Sequence, residues 1–132
     1  LILKGIYVKI CKEYFVRRHL FMHLKFEKCN DVLIVYLFGE LDHHNAEALR
    51  VKIDDRIDRD EIKKVILSFK AVSFMDSSGI GAVIGRYKKI NGKGGSLCVV
   101  DIDERINRVF ELSGLYKIIK HYKNIDEALK VI

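Results

Sequence analysis

A strand that runs into a helix through an Asp-Ser-Ser corner is the feature that most restricts the folds open to this chain. Lys64-Val65-Ile66-Leu67-Ser68-Phe69 is a short, β-branched, apolar run, the mark of a strand buried on at least one face. Further on, Ile80, Val83, Ile84, Tyr87 and Ile90 recur at spacings of three and four, which makes one apolar stripe on a helix. Val72-Ser73-Phe74-Met75-Asp76-Ser77-Ser78-Gly79-Ile80-Gly81 forms the junction. A helix start leaves its first N–H groups unbonded and its positive dipole end exposed, so Asp76, Ser77 or Ser78 can cap it. One oxygen-bearing side chain meets that need, and three in a row leave two hydroxyls spare. Capping alone accounts for the motif. The sharper reading is a phosphorylation switch. A phosphate is tolerated at a helix start, and roughly −1.5 to −2 charges beside Asp76 would eject a docked acidic or apolar partner without unfolding the domain.

The rest of the chain supplies partners for that strand and helix. Leu24-Lys25-Phe26-Glu27 alternates as a strand, Asn30-Asp31 turns, and Val32 to Phe38 is an interior strand that forms a hairpin with the first. Asp42 is placed as the N-cap of a helix with Ala46, Leu49, Ile53 and Ile57 inward, and Leu41 as a staple on Ala46. The tract Asp54 to Glu61 reads as a solvated helix end laced with local ion pairs. Asn91 to Gly95 ends the Asp-Ser-Ser helix. Its likeness to a phosphate loop is superficial, because Tyr87 stands where the Walker pattern needs glycine and Gly94 where it needs Ser or Thr. Leu97 to Val100 is a buried strand. Asp103 caps a helix with Ile106, Val109, Phe110 and Leu112 inward, and Gly114 stops it. Ile118-Ile119 reads as a short edge strand and Ile125 to Ile132 as a last helix. The order is β-β-α-β-α-β-α, followed by that last pair.

Composition removes several classes of function. At 132 residues and 49% hydrophobic, the chain suffices for one domain with a proper core. The formal net charge of +6 suggests nucleic acid until it is located: residues 1 to 21 carry +4, leaving +2 for the other 111. That nearly neutral body, without a basic helix, argues against direct nucleic-acid binding. Three cysteines with no C-x-x-C spacing point to neither a disulfide framework nor zinc, and fit a reducing, cytoplasmic setting. Nowhere do 18 apolar residues run together, so no membrane span is expected. Residues 1 to 21 read as a basic extension, simplest as a start-site or cloning artefact before Met22, and otherwise as an arm for an anionic surface. The domain proper is then 22 to 132.

Chemistry-bearing clusters are sparse. His43 and His44 are adjacent and so point about 100° apart on a helix, with no third ligand at a known spacing; they read as surface residues rather than a metal site. The G-x-S-x-G elbow is absent, because Met75 holds its first position, and no triad partner is placed by sequence. No cofactor or small-molecule substrate is expected. Gly79, Gly81, Ala82 and Gly85 fall away from the apolar stripe. Each helical glycine costs about 1 kcal/mol against alanine, so they imply either tight packing within the domain or a smooth face for a docking protein.

Four runs at matching intervals make the chain resemble the STAS domain family, and within it the sporulation branch of the anti-sigma factor antagonists. They are Gly39-Glu40-Leu41-Asp42-His43-His44, Ser73 through Gly81, Gly85-Arg86-Tyr87-Lys88, and Leu112-Ser113-Gly114-Leu115. The resemblance covers residues 22 to 132 in order. It implies an α/β fold, a four- or five-stranded mixed sheet with about four helices packed on it, and a regulatory binding protein rather than an enzyme. It also implies that the unphosphorylated form binds an anti-sigma factor, a serine kinase of the GHKL type, and frees the sporulation sigma factor. By the same likeness the kinase phosphorylates Ser77 from ATP and so abolishes binding, and a PP2C-type phosphatase reverses the step. Glu40, Asp42 and Asp76 are then expected to form an acidic docking face, with Ser77, Ser78, Gly79 and Ile80 at the contact. Two alternatives stay open: a STAS module of another partner-switching pathway such as a general stress response, and a small nucleotide-binding enzyme with its phosphate site at the serine-bearing helix start.

Overall fold

The structure, a computed structural model, describes residues 23–132; the basic extension and its boundary at Met22 lie outside the described residues. Strands β1 (His23–Cys29) and β2 (Val32–Leu41) form an antiparallel hairpin from His23↔Phe38 to Cys29↔Val32. Then follow helix α1 (Ala46–Arg59), strand β3 (Lys64–Met75), helix α2 (Ser77–Gly92) and strand β4 (Ser96–Val100). Helix α3 (Glu104–Ser113), a 3-10 turn (Leu115–Lys117), strand β5 (Lys120–Tyr122) and helix α4 (Ile125–Val131) complete the chain. The sheet order is β1-β2-β3-β4-β5, with β2 to β5 parallel.

The period of two along each strand sorts side chains between two layers. Leu33, Val35 and Leu37 of β2, Val65, Leu67 and Phe69 of β3, and Leu97 and Val99 of β4 face α1, α2 and α3. Leu49, Ile53 and Ile57 of α1, Val83 and Ile90 of α2, and Ile106 and Phe110 of α3 close on them. Phe69 and Phe110 meet edge to face, with ring centroids 5.2 Å apart at 85°. Val32, Ile34, Ile66, Cys98 and Val100 face the other way, against Ala128 of α4.

The structure differs from the sequence reading at several places. β3 does not end near Phe69 but continues to Met75 alongside β2. Register shifts between Tyr36 and Phe38 and between Gly39 and Glu40 give β3 one extra residue at each, which bends the overhang. α1 begins at Ala46 with Asn45 as N-cap, three residues later than a cap at Asp42 would place it, so Leu41 is no staple. The edge strand is Lys120–Tyr122, since Ile118 and Ile119 belong to the turn that follows the 3-10 segment. Leu112 points outward, 81% exposed, one step off the Ile106 and Phe110 stripe. Gly114 does stop α3, at φ 77°. The acidic tract Asp54 to Glu61 is more than a solvated end: Asp54 and Asp58 reach across to α2.

Candidate functional site

The carboxyl ends of β2 and β3 lie side by side, paired Glu40↔Phe74 and Leu41↔Met75, and each leads into a helix. Gly39 turns the end of β2 at φ 106°, a left-handed conformation that glycine takes without strain, at the second register shift. Asp42 then folds the chain back: its Oδ1 accepts from the backbone N–H of His44 (3.0 Å) and Asn45 (3.1 Å). Buried Asn45 donates from Nδ2 to the Glu40 carbonyl oxygen at 2.8 Å, which locks the loop before α1.

The second loop is docked on the first. The Asp76 N–H donates to the Leu41 carbonyl oxygen at 3.3 Å. Asp76 Oδ1 accepts from the N–H of Ser78 (2.8 Å) and of Gly79 (3.2 Å), so Asp76 is the N-cap of α2. Gly79 is buried, and a Cβ built on it would overlap the Leu41 carbonyl oxygen and stand 2.7 Å from Leu41 Cγ and 3.0 Å from Met75 Cγ. Close approach of backbones is therefore the reason for glycine here. Gly81 and Gly85 have open space among the described residues where a Cβ would sit. The glycines thus split, one serving internal packing and two not requiring it.

Ser77 is exposed at the first position of α2, and among the described residues its hydroxyl has no hydrogen-bond partner. Ser78 is half-buried and gives its N–H to the cap; Ile80 is half-buried against the main core. Glu40 is exposed on the neighbouring loop, while the carboxylates of Asp42 and Asp76 both bond backbone N–H groups. The structure thus gathers Glu40, Asp42, Asp76, Ser77 and Ser78 on two touching loops and gives Gly79 to the interior. His43 and His44 are exposed with ring centroids 3.9 Å apart, and no group of three potential metal ligands gathers among the described residues.

Sequence reasoning overlooked Phe74. It is 49% exposed, it lies opposite Glu40 in the β2–β3 register and three residues before Ser77. It is thus an exposed aromatic side chain at the end of a parallel strand pair, in register with the acidic Glu40. The only sequence signal was the apolar Val72 and Phe74 beyond the run that ends at Phe69, and the two register shifts conceal which way Phe74 points.

A family model described as STAS domain matches residues 23–128. The anti-sigma F factor antagonist of Paenibacillus polymyxa is 44% identical over 108 residues, covering 82% of this chain and 92% of that protein. The anti-sigma-B factor antagonist of Bacillus subtilis is 37% identical over 90 residues, covering 68% and 80%. Among solved structures, the anti-sigma factor antagonist SpoIIAA in its unphosphorylated form superposes with a TM-score of 0.70 at 32% identity, covering 81% of this chain and 93% of that one. The Bacillus cell fate determinant SpoIIAA in the phosphorylated form gives 0.64 at 32%, covering 82% and 97%.

Proposed function

The chain belongs to the STAS domain family and is an anti-sigma factor antagonist, and from that premise we propose a phosphorylation-controlled switch centred on Ser77. The unphosphorylated protein binds an anti-sigma factor that is also a serine kinase, and so releases a sporulation sigma factor. The kinase moves the γ-phosphoryl group of ATP onto Ser77 Oγ, and binding is lost. A PP2C-type phosphatase restores it. The protein acts as a binding partner and not as an enzyme.

One observation carries this reading: the exposed Ser77 hydroxyl is idle, because Asp76 alone satisfies the N–H groups of Ser78 and Gly79. A phosphate at Ser77 would lie beside Asp76 and close to Glu40 and Asp42, adding roughly −1.5 to −2 charges to a face that already carries carboxylates. In the proposed complex that face meets basic groups of the kinase, while Phe74 and the exposed part of Ile80 supply apolar contact. Phosphate overcharges the face and occupies the contact surface. The helix start tolerates the new charge, so the domain stays folded.

The test is intact-mass analysis after incubation with the anti-sigma factor and ATP, followed by peptide mapping. A single phosphate on the Ser77 peptide, absent from Ser77→Ala, is expected, together with tight binding by Ser77→Ala and weak binding by Ser77→Asp. Transfer to another residue, or equal affinity of the two variants, would remove Ser77 from the switch. The likeness to antagonists named for both sigma F and sigma B supports a second reading, in which the same switch serves a general stress pathway. Parallel titrations with both kinds of anti-sigma factor decide between them.

A further inference from the structure

Two helices leave the site side by side, α1 from the Glu40 loop and α2 from the Ser77 loop, and both run back along the sheet. Asp54 lies eight residues beyond the start of α1 and Arg86 nine beyond the start of α2. At about 1.5 Å per residue both are roughly 12–14 Å below the helix starts, and therefore at the same depth. There Arg86 Nε stands 2.7 Å from Asp54 Oδ1, with the two side chains 7% and 18% exposed. One turn lower, Lys89 and Lys93 reach Asp58 at 3.0 and 3.5 Å in two more solvated ion pairs. Arg50, itself bound to Glu47, approaches Asp54 at 3.7 Å from the same helix.

As a source of stability the buried pair is poorly built. Its atoms are close but not aligned for a hydrogen bond, and Arg86 Nη1 is buried with no acceptor among the described residues. Apolar side chains of similar volume fill such a site as well or better. What they lack is a unique register. The apolar stripes of two parallel helices accept a slip of one turn, about 5.4 Å, at modest expense. The Arg86 guanidinium, with its side chain only 7% exposed, does not, since a one-turn slip takes it from Asp54 to the level either of Arg50, a like charge, or of Asp58, which Lys89 and Lys93 already hold.

We propose that the Asp54–Arg86 pair is a positioning device that fixes the axial register of α1 against α2 and so keeps the Glu40–Asp42 loop level with Ser77. Its effect on partner binding rests on the switch proposed above; its effect on register does not. The test is the double variant Asp54→Leu/Arg86→Met, read by thermal unfolding, by amide hydrogen exchange at Ser78 and Gly79, and by titration against the anti-sigma factor. Expected are an unfolding midpoint at or above the wild-type value, exchange at the two amides faster by about tenfold, and affinity weaker by about tenfold. Asp54→Glu/Arg86→Lys, which keeps the opposed charges, stays within about threefold of wild type in both. Wild-type exchange and affinity in the apolar double variant would overturn the inference. So would loss of its fold, which would make the pair a stability element. If the wild-type protein itself fails to bind the anti-sigma factor, the proposed switch fails, and hydrogen exchange alone still decides the register.

Discussion

Replacing Gly79 by alanine sets two effects of opposite sign against each other. Alanine is favoured over glycine in a helix interior by about 1 kcal/mol, and nothing in the φ of Gly79 resists the change. Against this, the new methyl overlaps the Leu41 carbonyl oxygen, a backbone atom already held by the Asp76 N–H, and crowds the buried side chains of Leu41 and Met75. None of the three can swing into solvent. Overpacking a filled site costs typically 1–3 kcal/mol, and the backbone clash puts this one near about 3, for a net loss of about 2 kcal/mol. Gly81→Ala and Gly85→Ala meet open space and keep only the propensity gain, about 0.5–1 kcal/mol each. For a domain of this size the first corresponds to a midpoint lowered by roughly 10 °C and the others to rises of about 3–5 °C. Urea unfolding and thermal melts of the three variants measure all of it. A Gly79→Ala protein as stable as wild type, or a Gly81→Ala protein that loses stability with it, would refute the close-approach argument.

Three further outcomes follow from the same geometry. Asp76→Ala strips two N–H groups of their acceptor and should lower stability by about 1–2 kcal/mol in urea, with Asp76→Asn recovering most of it. Phe74→Ala should change stability by less than about 0.5 kcal/mol, because the ring is half-exposed, yet weaken anti-sigma factor binding by about tenfold or more; unchanged affinity would take Phe74 out of the docking patch. Burial pushes the Cys98 thiol up to about 12, so it should ignore thiol reagents at pH 8 in a Cys11→Ser background while Cys29 reacts. The neutral thiol is what the fold prefers. Its contribution is therefore complete below the unfolded thiol's value of 9.0 and declines as the pH rises from there toward about 12, a decline that Cys98→Ala should lack.

Element types were legible because each segment carries one period. Val65, Leu67 and Phe69 share a layer by alternation, and Leu49, Ile53 and Ile57 by helical spacing, and both sets sit in one core. Capping at Asp76 and Asp103 was legible for the same local reason, as each carboxylate serves N–H groups two or three residues on. Asp42 misled because it does serve such groups, those of His44 and Asn45, but in a turn that precedes the helix. Local chemistry cannot tell these cases apart. The signal that α1 starts later is Asn45 reaching back to Glu40, which depends on the path of β2. The β3 overhang escaped notice because register shifts break the alternation at Lys70 and Ser73, where only the pairing with β2 keeps the strand extended. The tie between α1 and α2 was hidden because Asp54 and Arg86 are 32 residues apart, and sequence periodicity reports faces, not neighbours.

What the site offers a switch is a division of labour between adjacent residues. A serine that capped α2 itself would have its capping oxygen esterified on phosphorylation, and modification would then act on the helix start as well as on the docking face. Here Asp76 does the capping, with one oxygen serving two N–H groups, and its own N–H anchors the loop to Leu41. Ser77 contributes nothing that a phosphate would remove. In the proposed mechanism the modification therefore acts only outward, on charge and shape at the docking face. It follows that Ser77→Ala and phosphorylated protein should unfold within about 0.5 kcal/mol of the wild-type chain while differing widely in affinity for the anti-sigma factor. If phosphorylation lowered stability by 2 kcal/mol or more, release would be driven by loosening of α2 rather than by a blocked surface, and the acidic-face mechanism would have to be given up.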